Sequence, residues 1–193
     1  MRLLILAAAL TCSSAALANQ LIPANAAVTV AKSALQVTPA RDWNKLSARP
    51  GRQSETWTID GELLNDLSFY GGIESGKPLF REVDRKNRPL PQFKSTILAA
   101  EVPALLENSY RIARGVSIFT IDQVEPAAFA GTAGIHFTYS FVGPDELRRS
   151  GEGNAAIVAG RLYLTTFEAP TLHYFMRDVA SFQQVVGSLK LPK

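Results

Sequence analysis

Polar and apolar positions alternate or recur along this chain with periods that outline its elements. In Glu55–Ile59, Trp57 and Ile59 share one face while Thr56 and Thr58 share the other, the pattern of a strand. Asp60-Gly61 ends it with a turn. Glu62 to Tyr70 carries two signals: Leu63, Leu64 and Leu67 suit a helical turn, whereas Leu67 to Tyr70 suits a strand. The reading adopted is a brief turn and then a strand. Gly71-Gly72 and Gly76 then open an irregular connection to about Phe93, in which Pro78, Pro89 and Pro91 oppose a regular helix. From Ser95 or Thr96 as cap, a helix is expected to run towards Arg114, with Pro103 in its first turn and Gly115 as its stop. Leu105, Leu106, Ser109, Ile112 and Ala113 recur along it at helical spacing.

The second half reads as a meander. Val116 to Val124 is rich in strand formers and Glu125-Pro126 is expected to break it. In Gly134–Val142, Ile135, Phe137, Tyr139 and Phe141 face one way and His136, Thr138 and Ser140 the other. Gly143-Pro144-Asp145 turns the chain into a third strand from Leu147 to Ala159, expected to be interrupted at Gly151 and Gly153. Leu162 to Phe167 is a fourth strand, ended by Pro170. Phe175, Val179, Phe182, Val185, Val186 and Leu189 then follow the helical period over about 172–189. The fold class is therefore α+β: a mostly antiparallel meander sheet covered by two main helices, about 95–114 and 172–189.

Before Ser54 the pattern is weaker. Ala26 to Val30 and Leu35 to Val37 suit short strands, and Ala40 to Arg52 reads as a loop anchored by Trp43. The first residues carry a different signal. Arg2, the aliphatic run Leu3–Leu10 and the small-residue close Ala16-Leu17-Ala18 have the layout of a secretory signal peptide. Cleavage after Ala18 would leave Asn19 first. The expected organisation is a signal at 1–18, an extended or loop-rich segment at 19–53 and one α+β domain at 54–193. Cys12, the only cysteine, falls inside the signal and also ends a lipobox-like Ala9-Leu10-Thr11-Cys12, so acylation at Cys12 is the alternative to a periplasmic or secreted chain. Thr11 fits that box poorly.

Composition narrows the classes. The 193 residues are 47% hydrophobic and 19% charged, enough for a core, with 20 Lys and Arg against 17 Asp and Glu. The excess is too small to argue for nucleic acid, and no apolar run after the signal approaches the ~20 residues that span a bilayer. The densest charge lies in the irregular connection, where Lys77, Arg81, Arg85, Lys86, Arg88 and Lys94 face only Glu82 and Asp84. This basic stretch suits an acidic envelope partner or an anionic surface as well as a solvated loop.

Catalytic motifs are sparse. With two histidines and no H-x-x-x-H or H-E-x-x-H, neither metal nor cofactor is expected, and no G-x-S-x-G elbow or P-loop occurs. His136 is expected on the polar face of its strand. The one candidate constellation is His173 with Glu168 or Tyr174, at the passage from the last strand into the last helix. A small periplasmic hydrolase using these residues is one reading. The other is structural, with Thr171 capping the helix, His173 in its first turn and Tyr174 packing.

A Trp-bearing strand, a mid-chain helix, an aromatic meander strand, the Gly160-Arg161-Leu162-Tyr163-Leu164 strand and a terminal amphipathic helix occur here in an order that resembles the Mog1/PsbP-like group. That group includes small bacterial envelope proteins of the DcrB type. The resemblance spans Ser54 to Leu191 and rests on element order. It implies a sheet backed by helices and mostly non-enzymatic binding or assembly roles, and it carries over no functional residue. The expected function is an exported, non-catalytic accessory or binding protein of the bacterial cell envelope.

Overall fold

Residues 19–192 are described by the computed structural model; Met1–Ala18, with Cys12 and the expected cleavage point, and Lys193 lie outside the described residues. Among the described residues ten strands form in chain order: β1 Gln20–Ile22, β2 Val28–Thr29, β3 Gln36–Val37, β4 Trp43–Lys45, β5 Ser54–Thr58, β6 Asp66–Ile73, β7 Ile118–Phe129, β8 Thr132–Val142, β9 Arg148–Val158 and β10 Arg161–Pro170. Two α-helices, α1 Val102–Ala113 and α2 Met176–Gly187, complete the set. Eight strands make one antiparallel sheet in the order β1-β4-β5-β6-β10-β9-β8-β7, and β2 pairs with β3 separately. The α+β class is as the pattern implied.

Helices cover opposite faces of this sheet. On one, Val102, Leu106 and Tyr110 of α1 meet Tyr70, Phe137, Tyr139 and Leu164, and the 74–98 connection adds Leu79, Phe80, Leu90 and Phe93. On the other, Phe182 and Val185 of α2 meet Trp43, Trp57, Phe69 and Phe167, with Val30, Leu35 and Val37 from the N-terminal segment. Each fully buried ring or aliphatic chain contributes about 2–3 kcal/mol. Because both faces are covered, the central strands β5, β6 and β10 are buried on both sides; Thr56 pairs there with Ser68, Trp57 with Glu55 and Thr58 with Asn65, while the Tyr70, Thr165 and Thr166 hydroxyls are buried without a partner.

Several elements differ from the pattern. The mid-chain helix begins at Val102, preceded by a 3₁₀ turn at Ala99–Glu101, and neither Ser95 nor Thr96 caps it. Glu101 instead reaches back to accept the Leu98 N–H at 2.8 Å. Gly115, at φ +67°, ends α1. β6 continues through Gly71 and Gly72 to Ile73 because β5 pairs it as far as Tyr70 and β10 as far as Ile73. β7 runs past Pro126, which pairs with Ile135; this strand is the sheet edge, where a missing N–H on the open side costs no ladder bond. β9 is unbroken at Gly151 and Gly153, since these positions lie under the Tyr139 and Phe137 rings. A Cβ on either would fall 2.2–2.3 Å from a ring atom. Trp43 sits in a strand, fully buried, rather than in a loop.

The last helix starts later than its periodicity suggested. Leu172 and His173 have non-helical backbones within the distorted turn Thr171–Phe175, and α2 begins at Met176. The Thr171 hydroxyl bonds to Ser150, 2.9 Å away, and does not cap. Asn65 ties α2 to the β5–β6 turn. Its Oδ1 accepts from the Thr58 hydroxyl and the Ile59 and Asp60 N–H groups at 2.8, 2.7 and 3.1 Å, and its Nδ2 donates to Asp60 at 2.6 Å and Asp178 at 2.9 Å. Arg177 closes the knot by pairing with both Asp60 and Asp178.

Candidate functional site

On the α1 face, at the end of the sheet where β5, β10 and α1 finish, the chain leaves a cleft of about 520 Å³. Its walls come from Leu46, Pro50, Phe80, Val116 and Phe141, with Arg49 in the segment after β4. Its floor is polar. Glu168 on β10 and Asp66 on β6 are direct cross-strand partners, and both are buried. Alternation along the strands explains their common face: Leu162, Leu164, Thr166 and Glu168 point towards α1, as do Asp66, Ser68 and Tyr70.

Glu168 is fully engaged. Oε1 takes the Arg114 guanidinium at the end of α1, and Oε2 accepts the hydroxyls of Tyr110 at 2.5 Å and Tyr139 at 3.3 Å. Arg114 also lies 4.3 Å from the centre of the Tyr110 ring and 5.4 Å from that of Phe80. Gly151, opposite Glu168 on β9, leaves the space across which Tyr139 reaches that carboxylate. Further along, buried Arg149 makes a two-pronged pair with Asp145, at 2.9 and 2.7 Å.

Burial and pairing set the protonation of these groups. Burial first, and the Glu168 charge second, push the Asp66 carboxyl from 3.8 up to about 7. Burial likewise raises Tyr110 and Tyr139 well above the ordinary phenol range. For Arg114 burial opposes the charge, but Glu168, Tyr110 and Tyr70 outweigh it and hold the guanidinium charged. The hydrogen bonds from Arg149 hold Asp145 down at about 2. Asp66 is therefore the acid in this cleft poised to exchange a proton near neutrality. Thr56, also in the lining, shares its hydroxyl with Ser68 at 2.8 Å, a neutral partner that offers no general base. Among the described residues no group of three His, Cys, Asp or Glu side chains is placed to hold a metal ion.

The candidate trio from the sequence is dispersed. Glu168 lies in the cleft floor, while His173 is exposed beyond the end of β10 with its ring 5.1 Å from that of Tyr174. Among the described residues His173 shares no hydrogen bond or ion pair with Glu168 or Tyr174. Tyr174 instead lies under Arg177, 4.9 Å from its guanidinium carbon. His136 bridges Glu125 and Glu152, 3.0 Å from each. Lys77, Arg81, Arg85, Lys86 and Arg88 are all exposed on the connection that Leu79, Phe80, Leu90 and Phe93 anchor. Arg88 donates to the Ile112 carbonyl at 2.5 Å, and Arg85 stands 3.9 Å from Glu82.

Asp66, Arg114, Tyr110, Tyr139 and Arg149 were not singled out by sequence reasoning. A usable signal existed: Asp66 and Glu168 are carboxylates at the ends of otherwise apolar or hydroxyl-bearing strands. What joins them is the β6–β10 pairing, between positions about a hundred residues apart, which no local pattern encodes.

No family model matches the chain, and no curated protein matches it. Among solved structures, the solution structure of cyanobacterial PsbP (CyanoP) from Synechocystis sp. PCC 6803 matches over 94% of this chain and 98% of that one, with a TM-score of 0.54 and 12% identity. The crystal structure of LpqN, involved in cell envelope biogenesis of Mycobacterium tuberculosis, matches over 90% of this chain and 92% of its own, with a TM-score of 0.36 and 9% identity. This chain therefore has the PsbP-like fold that its element order implied. At 12% identity the likeness to PsbP speaks to fold alone. No helix among the described residues is long and apolar enough to cross a membrane.

Proposed function

We propose that this chain is an exported, non-catalytic accessory or binding protein of the bacterial cell envelope that captures a small ligand in the cleft between Arg49, Phe80 and Phe141. The observation that carries this reading is the state of the cleft's charged groups. Glu168 is bound by Arg114 and two tyrosine hydroxyls, and Arg149 by Asp145, so most charges are spent on one another beneath largely apolar walls. Binding sites commonly take this form, a concave apolar surface with a few fixed polar groups. The Met1–Ala18 pattern supports export, with Asn19 as the mature N-terminus. The exposed cations Lys77, Arg81, Arg85, Lys86 and Arg88 offer a second contact, for an acidic envelope protein or an anionic surface.

Two measurements test this reading. Mass spectrometry of protein from fractionated cells should find a chain starting at Asn19 in the envelope fraction; an intact Met1 on cytosolic protein refutes export, and a lipid mass on Cys12 replaces soluble export by anchoring. A thermal-shift screen of small apolar and amphiphilic compounds should return ligands whose effect is lost in Phe141→Ala; a screen with no such ligand refutes capture. Charge reversal by Arg85→Glu with Lys86→Glu should weaken any acidic partner recovered by pull-down, and an unchanged profile removes the connection from the proposal.

One observation favours a second reading, a small exported hydrolase. Asp66, held at about 7, and its cross-strand neighbour Glu168, paired with Arg114, are two carboxyl groups in different surroundings. In this reading Asp66 takes the place of His173 as the acid–base group. Turnover of an ester or glycoside substrate that Asp66→Asn abolishes would establish it, and turnover indifferent to that substitution would dismiss it.

A further inference from the structure

The cleft floor holds two neighbouring carboxyl groups and one guanidinium to serve them. Arg114 is committed to Glu168, whose oxygens also take the Tyr110 and Tyr139 hydroxyls. Asp66 accepts only the Leu63 N–H, at 3.3 Å, and among the described residues no cation stands within ion-pair distance of it. It is 7% exposed and lines the cleft, so its remaining acceptor capacity is nearly shut off from bulk water. The charged groups acting on it include Glu168 from β10, Arg114 from the end of α1, Glu62 from its own turn and Arg149 from β9. Of the other lining cations, Arg149 is held by Asp145. Arg49 has a buried Nη1 with no acceptor and forms no ion pair with Asp66.

A buried carboxylate without a counter-ion either keeps its proton or takes a cation. The space beside Asp66, about 520 Å³, is far larger than a metal ion needs, and Phe80, Val116 and Phe141 line it. Aromatic faces attract organic cations, and apolar walls reward an apolar body. We propose that the cleft binds a small organic cation, a primary amine with an apolar body, whose ammonium group pairs with Asp66 while its apolar part lies against Phe80, Val116 and Phe141. This rests on the capture reading above and supplies its ligand class. The amine brings the missing positive charge to the floor and gives the ionised form of Asp66 its partner. Binding therefore requires Asp66 to lose its proton, which ties affinity to pH.

The test is calorimetric titration of the exported chain with three probes of one shape: phenethylamine, neutral 2-phenylethanol and anionic 3-phenylpropionate. Phenethylamine should bind tightest, its affinity rising about tenfold per unit from pH 5 to pH 7 and levelling above, with about one proton released on binding at pH 6. Asp66→Asn keeps the size of the side chain and an acceptor for Leu63. It should weaken phenethylamine by about tenfold or more and remove the pH dependence, with 2-phenylethanol unaffected. Phe141→Leu should weaken the amine and the alcohol alike. An amine that binds no tighter than the alcohol, or whose affinity ignores pH and Asp66→Asn, overturns the proposal. So does tightest binding of 3-phenylpropionate, which would assign the ligand to Arg49. In both cases the cleft remains a capture site; if none of the three probes binds, the capture reading falls as well.

Discussion

Asp66→Asn should change how the stability of this protein depends on pH. In the folded chain burial and the Glu168 charge hold the Asp66 carboxyl at about 7, against 3.8 for the ordinary group. Between those values the folded state keeps a proton that the unfolded chain has released, so stability falls as pH rises through this window. Below about 4 the penalty is absent, because both states are protonated. Above about 7 it is complete and constant. Three pH units at about 1.4 kcal/mol each give a loss of about 4 kcal/mol across the window. Asparagine cannot ionise and keeps the acceptor for Leu63, so the variant escapes this loss. Urea unfolding of both proteins from pH 4 to pH 8 would show it: with a slope of about 2 kcal/mol per molar, the wild-type midpoint should fall relative to the variant by about 2 M. Glu168→Gln gives an internal control. It removes the neighbouring charge and frees Arg114, both of which draw the Asp66 carboxyl towards its ordinary value, so the window should narrow while Arg114 loses its partner. Midpoints of wild type and Asp66→Asn that run parallel through the whole range would refute the reasoning.

Other substitutions probe the packing and the joints. Gly151→Ala would place a Cβ 2.2 Å from the Tyr139 ring and displace the hydroxyl that reaches Glu168; a stability loss of about 3 kcal/mol or more is expected by denaturant unfolding, and a neutral result would contradict the close approach. Asn65→Ala removes four hydrogen bonds within the β5–β6 turn and the one to Asp178 of α2, leaving Asp178 short of one donor, and should cost about 3 kcal/mol with faster amide exchange over both segments. His173→Gly should be neutral or raise stability by about 1 kcal/mol in thermal unfolding, because His173 holds φ +73° and ψ −60° and is exposed; a clear loss would show that its side chain contributes.

Local pattern determined much of this protein by itself. The alternation in Ile135–Phe141 predicted a strand with an aromatic face, and all four residues on that face are buried under α1. The periodicity of Leu105, Leu106 and Ser109 predicted α1, and that of Phe182 and Val185 predicted α2; these residues are buried as expected. Such signals are legible because a period of two or 3.6 residues reports one face meeting one core. The order of elements likewise implied the PsbP-like fold. Tertiary structure decided what depends on neighbours distant in the chain. Pro126 stays in a strand because β7 is the sheet edge, and Gly151 belongs to a continuous strand because Tyr139, from the next strand, lies over it. Glu168 suggested chemistry in both views, but the sequence offered it His173, its neighbour in the chain. Strand pairing gave it Asp66, and packing gave it Arg114, Tyr110 and Tyr139. Which groups share a buried space, and therefore which carboxyl keeps its proton, follows from how the sheet is ordered and what lies on it, and a single chain of letters carries no local mark of either.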